Sequence, residues 1–202
     1  MLRRLIDRLA PKPERDAAHL AYTRAVERAR ATPFYAEYGV PDTLDGRFEM
    51  IALHLFLILY RLRGDEQSRD FRQALYDLFF ADMDRALREM GTGDLSVGKQ
   101  VKRMASSFAG RVNAYEGGLE GRENLDAALA RNVYGTLRAT PAGVARKNHE
   151  ERPREPDSEW VAALRNYLLR QAGHLRDEPA ALLAIGEVRF GPLDFTPPPV
   201  DI

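Results

Sequence analysis

One run dominates the hydrophobic pattern. From Phe48 to Tyr60 every position is apolar except Glu49 and His54. The run is well short of the roughly 20 residues that a bilayer span requires. A helix apolar nearly all round belongs in a protein interior. Residues 46–62 therefore read as the buried central helix of a bundle, with Arg47 and Arg61 marking where its ends reach water. The flanking patterns are amphipathic. Residues 14–31 place Ala18, Ala21, Tyr22, Ala25, Val26 and Ala29 on one side, small enough for close packing. Residues 69–90 carry Phe71, Leu75, Leu78, Phe79, Ala86, Leu87 and Met90 at the helical period, with Ser68 as the expected cap and Gly91 and Gly93 as the stop. Ser96 suits the cap of a helix over 97–118, whose seam is Val97, Val101, Met104, Phe108, Val112, Tyr115 and Leu119.

Shorter segments complete the bundle. Residues 123–134 predict a short helix, and glycines 117–118 before it read as a helix stop. The connector 32–45 holds Phe34, Tyr35 and Tyr38, which should cover one end of the bundle. Periodicity disappears over 135–157, where prolines and charges predict a mobile loop. Helices over 158–173 and 178–185 follow, then a proline-rich extended tail lying along the surface or disordered. The expected fold is all-α: a single helical bundle around the central helix, with an appended C-terminal helical pair. The expected organisation is N-terminal helices packing on the core over 1–31, a core bundle over 32–135, a mobile loop over 136–157, and the C-terminal pair and tail over 158–202.

Composition narrows the function. The 202 residues balance at a net charge of +0, which disfavours general polyanion binding and hence DNA. There is no cysteine, which excludes disulfides, thiolate zinc sites, iron–sulfur ligation and cysteine nucleophiles. Asp7 and Arg8 interrupt the N-terminal apolar positions, so no secretory signal is read and the cytoplasm is the expected location. Leu2, Leu5, Ile6 and Leu9 form a stripe with Arg3, Arg4 and Arg8 off it. Such a segment either docks on its own bundle or touches an anionic membrane surface or a partner.

Catalytic and metal motifs are missing. None of His19, His54, His149 and His174 lies at metal-ligand spacing on a helix, so no metal or cofactor is expected. There is no phosphate-binding glycine loop and no nucleophile elbow. Asp82 and Asp84 face different sides of a helix, and no nucleophile–base set can be assembled for a hydrolase. His54 needs a hydrogen-bond partner in its apolar surroundings. It is a satisfied core histidine, or one at the rim of a binding groove, or a haem or metal ligand. Lys99, Lys102 and Arg103 cluster on the first turns of the 97–118 helix, near acids at 77, 82, 84 and 89. Ordinary solvated faces with weak intrahelical pairs account for such a pattern. A basic patch for an anionic partner is the sharper alternative.

Two stretches carry a family resemblance: YGVPDTLDGRFEMIALHLFLILYRL, and DLFFADMDRALREMGTGDLSVGKQVKRMASSFAGRVNAYEGGL. Together they make residues 33–135 resemble the ubiquinol–cytochrome c chaperone family of complex III assembly factors. The DGRF start of the buried helix, the Asp-Met-Asp run and the Met-Gly-x-Gly-Asp-Leu-Ser-Val-Gly turn carry it. The resemblance implies an all-helical, non-enzymatic chaperone without a cofactor. Its mitochondrial relative works with a small partner subunit near the ribosomal tunnel exit, and holds newly made cytochrome b until haem is in place. A bacterial protein of this kind would hold apo or nascent cytochrome b at the inner-membrane surface, with a small helical partner subunit and ribosome contact left open. The expected groove lies between helices 69–90 and 97–118. It offers Phe79, Phe80, Met83, Met104 and Phe108, rimmed by Asp94, Lys99, Lys102 and Arg103. Adjacent Phe79 and Phe80 should not share one stripe, so Phe80 is expected to be exposed and replaceable by Ala without loss of stability. Leu2, Leu5, Ile6 and Leu9 are the expected membrane or partner contacts. The alternatives are a haem-handling protein using His54 and a membrane-surface scaffold.

Overall fold

A computed structural model describes residues 13–91, 93–135 and 156–194. The helices are α1 (Pro13–Ala29), α2 (Thr32–Ala36), α3 (Leu44–Arg61), α4 (Arg69–Glu89), α5 (Asp94–Leu119), α6 (Leu125–Asn132), α7 (Ser158–Asp177) and α8 (Ala180–Ala184). No strand occurs among the described residues. Leu2, Leu5, Ile6 and Leu9, and the loop expected over 136–157 up to residue 155, lie outside the described residues.

α3 is the axis of the bundle, as its composition requires. Thr43 caps it, its side-chain oxygen accepting from Gly46 N at 3.1 Å. Met50 to Ile58 are buried without interruption. Gly46 is obligatory there, because a Cβ would lie 2.1 Å from the Pro41 carbonyl oxygen. α1 packs against α3 and α4 through Ala18, Ala21, Ala25 and Ala29, whose small side chains let the backbones approach. α4 is thus covered on one side by α1 and on another by α5. The connector aromatics close one end of the bundle: Phe34 and Tyr38 are buried, and Tyr134 donates to the Tyr38 carbonyl at 2.7 Å.

The C-terminal pair is separate in sequence but integral in space. α7 packs on α3 and α6 through Val161, Leu164, Tyr167 and Leu168. It runs past 173 to Asp177, because Leu175 is fully buried and anchors the last turn. Arg61 does not simply face water. Its guanidinium donates to the Leu175 and Glu178 carbonyls, each at 2.8 Å, at the C-terminal end of α7 where a cation is favoured. The tail is strapped down as far as Asp194. Gln171 accepts from Gly191 N and donates to Pro192 O, Arg28 donates to the carbonyls of Phe190 and Gly191, and Tyr38 donates to Asp194 O.

The local signals need correction at three places. Ser68 precedes α4, but its hydroxyl donates back to the Leu62 and Asp65 carbonyls rather than capping. α5 begins three residues before 97, with Gly93 as its cap residue, and Ser96 donates back to Gly93 O at 2.7 Å. Gly117 and Gly118 lie inside α5; they make room for Glu123 and Leu125, which a Cβ would approach within 3.0 Å.

Candidate functional site

The α4–α5 pair carries the residues that the sequence marks out, and the structure sorts them into three environments. Phe79, Phe80 and Phe108 are core residues, 1%, 8% and 2% exposed. Their rings pack together with centroids 4.8 Å (Phe79–Phe80), 5.3 Å (Phe79–Phe108) and 6.0 Å (Phe80–Phe108) apart. This overturns the expectation that Phe80 is exposed. Neighbouring positions on a helix can both be buried when partners cover two of its flanks. Phe79 turns toward α1 and α3, meeting Tyr22 and stacking on Phe48 at 5.6 Å, while Phe80 turns toward α5. The three phenylalanines therefore belong to the core, and Phe80 reaches the surface only at the floor of a shallow depression.

Met83, Arg103 and Met104 line an open groove of about 560 Å³ between the start of α3, the second half of α4 and the middle of α5. Phe48, Ile51 and Leu87 line it with them. At its mouth Leu44 and Met90 are 58% and 52% exposed. Lys99 and Lys102 stand elsewhere. They flank a shallow depression with Tyr76, Phe80 and Asp84, which Arg103 does not line. The basic cluster of α5 is therefore divided between two surfaces. The Asp94 side chain lies outside the described part of the structure.

One wall of the groove contains a buried ion pair that sequence reasoning missed. Glu49, 2% exposed, accepts from both arms of the Arg111 guanidinium, Nε lying 2.6 Å from Oε2 and Nη2 bonding Oε1. Burial raises the Glu49 carboxyl above the usual carboxylate range, and Arg111 pulls it partly back. The signal was present: a carboxylate inside an apolar run demands a partner. The partner sits 62 positions away, beyond the reach of periodicity.

The groove also gathers cations. Arg30 follows α1, Arg47 is on α3, Arg103 is on α5 and Arg131 is on α6, and all four line it. Arg47 is held by Asp42 at 2.7 Å. Asp82 is engaged by the Tyr22 hydroxyl at 2.7 Å. Arg30, Arg103 and Arg131 have no ion-pair partner among the described residues, and Asp45 and Asp82 are the lining acids without one. Thioethers, aliphatic and aromatic groups and permanently protonated guanidiniums dominate this lining, beside the Asp45, Glu49 and Asp82 carboxylates.

His54 is fully buried on the other side of α3. Its Nδ1 lies 2.7 Å from the Met50 carbonyl oxygen, which can only accept, so Nδ1 carries the proton and Nε2 accepts from the Tyr167 hydroxyl at 2.8 Å. Phe34 and Phe190 close over the ring. Burial lowers its pKa to about 3. A neutral imidazole with both nitrogens engaged is a satisfied core group, which removes His54 as a haem ligand. Among the described residues no cluster of His, Asp and Glu could hold a metal ion, and no helix is long and apolar enough to cross a membrane.

Comparison with known proteins bears on the same segments. The model of the family described as Ubiquinol-cytochrome C chaperone matches residues 36–190. Ubiquinol-cytochrome c reductase complex assembly factor 1 of Mus musculus is 26% identical over 179 residues, covering 88% of this chain and 55% of that protein. The same factor of Homo sapiens is 27% identical over 179 residues, covering 88% of this chain and 54% of that protein. The chain thus spans about half the length of the curated relatives it matches. The crystal structure of the Cbp3 homolog from Brucella abortus superposes with a TM-score of 0.73 at 33% identity, covering 95% of this chain and 97% of that one.

Proposed function

The chain belongs to the ubiquinol-cytochrome C chaperone family, and from that premise we propose that it is a non-enzymatic assembly chaperone that holds newly made cytochrome b for the ubiquinol–cytochrome c reductase complex. The observation that carries this reading is the methionine-lined groove between α3, α4 and α5. A membrane subunit exposes apolar helices before it is assembled. A holdase must cover such a surface without being specific for each side chain. Flexible, polarisable Met83, Met90 and Met104 suit that task, and an amphipathic groove that receives a helix is a recurrent recognition mode. In this reading the protein works peripherally at the inner membrane, with Leu2, Leu5, Ile6 and Leu9 as the membrane contacts and a small helical subunit as a further partner.

The test is affinity purification of the tagged chain from gently solubilised membranes of its own organism, with immunoblotting for cytochrome b. The wild-type chain should retain cytochrome b, and more of it when haem synthesis is limited. A Leu44→Asp, Met90→Asp variant changes exposed groove positions only, so it should melt normally yet lose the client. Lys99→Glu, Lys102→Glu at the separate depression should keep it. Retention by the groove variant would move the client elsewhere. Absence of cytochrome b from the wild-type preparation, with normal complex III in a deletion strain, would end the chaperone reading.

A further inference from the structure

The groove's charge specifies its occupant more narrowly than its apolar lining does. Several arginines elsewhere are ion-paired, Arg24 with Glu27, Arg63 with Glu116 and Glu120, Arg88 with Asp84, Arg122 with Glu120 and Arg165 with Asp126, while others, such as Arg15, Arg69 and Arg85, have no ion pair among the described residues. In a chain of net charge +0, that is what an even mixture of signs produces. What sets the groove apart is convergence of cations on one lining. Arg30, Arg103 and Arg131 come from three separate parts of the chain, converge on one lining and have no ion pair among the described residues, with the Asp45 and Asp82 carboxylates opposing them and a cationic excess remaining.

We propose that the groove is a docking site for an apolar helix flanked by carboxylates, and that it discriminates against helices flanked by Lys or Arg. The inference rests on the chaperone reading and specifies which client segment the groove accepts. A helix presents apolar anchors at i, i+3 or i+4 and i+7 to the lining. Guanidinium forks beside it match carboxylates in bidentate geometry. Cytoplasmic flanks of membrane helices are rich in Lys and Arg, and like charges across an interface are repelled. The groove therefore selects the acidic end of a client helix. A bilayer is a poorer match for this shape. Surface-bound proteins lay an apolar helix face into the interface plane, whereas these apolar groups line a concavity enclosed by several helices.

The experiment is fluorescence anisotropy of the full chain with two fluorescein-labelled helical peptides. Both carry Leu at i, i+3, i+4 and i+7, one with Glu at each flank and one with Lys. The Glu-flanked peptide should bind about tenfold more tightly at low salt, the equivalent of one to two charge-assisted contacts, and added salt should shrink the preference. Arg103→Gln, Arg131→Gln, which exchanges two exposed cations, should cut the preference below about threefold at an unchanged melting temperature. Equal binding of the two peptides, or a preference that survives the arginine substitutions, overturns the proposal. So does arginine-dependent capture by phosphatidylglycerol vesicles with neither peptide bound, which assigns the cations to lipid. Failure here is separable from failure of the chaperone reading. If cytochrome b co-purifies but the peptides are not distinguished, only the charge rule falls. If the peptides are distinguished but cytochrome b does not co-purify, the groove chemistry stands and the client assignment falls.

Discussion

Removing Arg111 should be the most costly single change at the groove wall, and its cost should depend on pH. Arg111→Leu leaves Glu49 in place at 2% exposure with no cation beside it. Breaking one partner from a buried pair costs about 3–5 kcal/mol, because a desolvated charge is left uncompensated. That is a large share of a domain stability of roughly 5–15 kcal/mol. The reverse change, Glu49→Leu, should cost less, about 1–2 kcal/mol, since the Arg111 side chain is 17% exposed and can turn its head toward the open groove. Glu49→Leu, Arg111→Leu should come back to within about 1–2 kcal/mol of the wild type, because a pair replaced by apolar groups needs no compensation. The difference between the double variant and the summed single variants is the coupling energy. The pH dependence follows from the carboxyl. Burial already raises Glu49, and loss of Arg111 removes the group that lowers it. A folded-state carboxyl held above its unfolded value binds a proton that unfolding releases, so stability falls as pH rises through the window between the two. Arg111→Leu should accordingly be closer to wild type at pH 5 than at pH 8. Urea titrations followed by helical circular dichroism at both pH values measure all four proteins. A cost below about 1 kcal/mol for Arg111→Leu, or one independent of pH, would refute the buried pair.

Phe80→Ala should lower stability by about 3–5 kcal/mol, as a buried aromatic truncation does, and calorimetry that finds an unchanged melting temperature would return Phe80 to the surface. His54 stays neutral in the fold with a pKa of about 3, below its unfolded value of about 6.5. The unfolded chain therefore takes up a proton first as pH falls, and about 2 kcal/mol of stability should be lost between pH 7.5 and 5; His54→Phe should abolish that share, as urea titrations at the two pH values would show. Gly39→Ala places a Cβ at φ 63°, 2.1 Å from the Trp160 ring. It should cost more than about 1 kcal/mol and shift the emission of the single tryptophan, and a wild-type emission spectrum would contradict the contact.

What was legible in the sequence was local. The central helix shows in the apolar run from Met50 to Ile58, and the α5 seam in Val97, Val101, Met104 and Phe108, because helical periodicity needs only neighbours three and four positions apart. The connector aromatics were legible as an end cover because large rings cannot be left solvated cheaply. What failed depended on the third dimension. Phe80 was misplaced because one stripe per helix is the pattern of a surface helix, and α4 is covered from two sides. The division of Lys99 and Lys102 from Arg103 follows from where α4 lies against α5, which a charge cluster on a helix does not encode. The convergence of Arg30, Arg103 and Arg131 joins three distant stretches, and the tail strap is written in backbone carbonyls accepting from Arg28, Tyr38 and Gln171, invisible to any side-chain pattern.

The two polar interruptions of α3 explain how such a helix holds one orientation. A helix apolar on every face gains nearly the same burial at any rotation about its axis, so hydrophobicity alone leaves its register loosely defined. Glu49 and His54 are five positions apart, about 140° around the helix. They point to different neighbours: Glu49 is bonded to Arg111 on α5, and His54 to Tyr167 on α7. Any rotation of α3 would strand a carboxylate or an imidazole without its partner, at a cost that apolar packing does not return. Buried polar groups that fix register in this way cost stability for specificity, and here the specificity has a place to act. The Glu49 tie holds α3 against α5 at the wall of the groove, so the same ion pair that orients the central helix also sets the surface on which Met83, Met104 and the unpaired arginines stand.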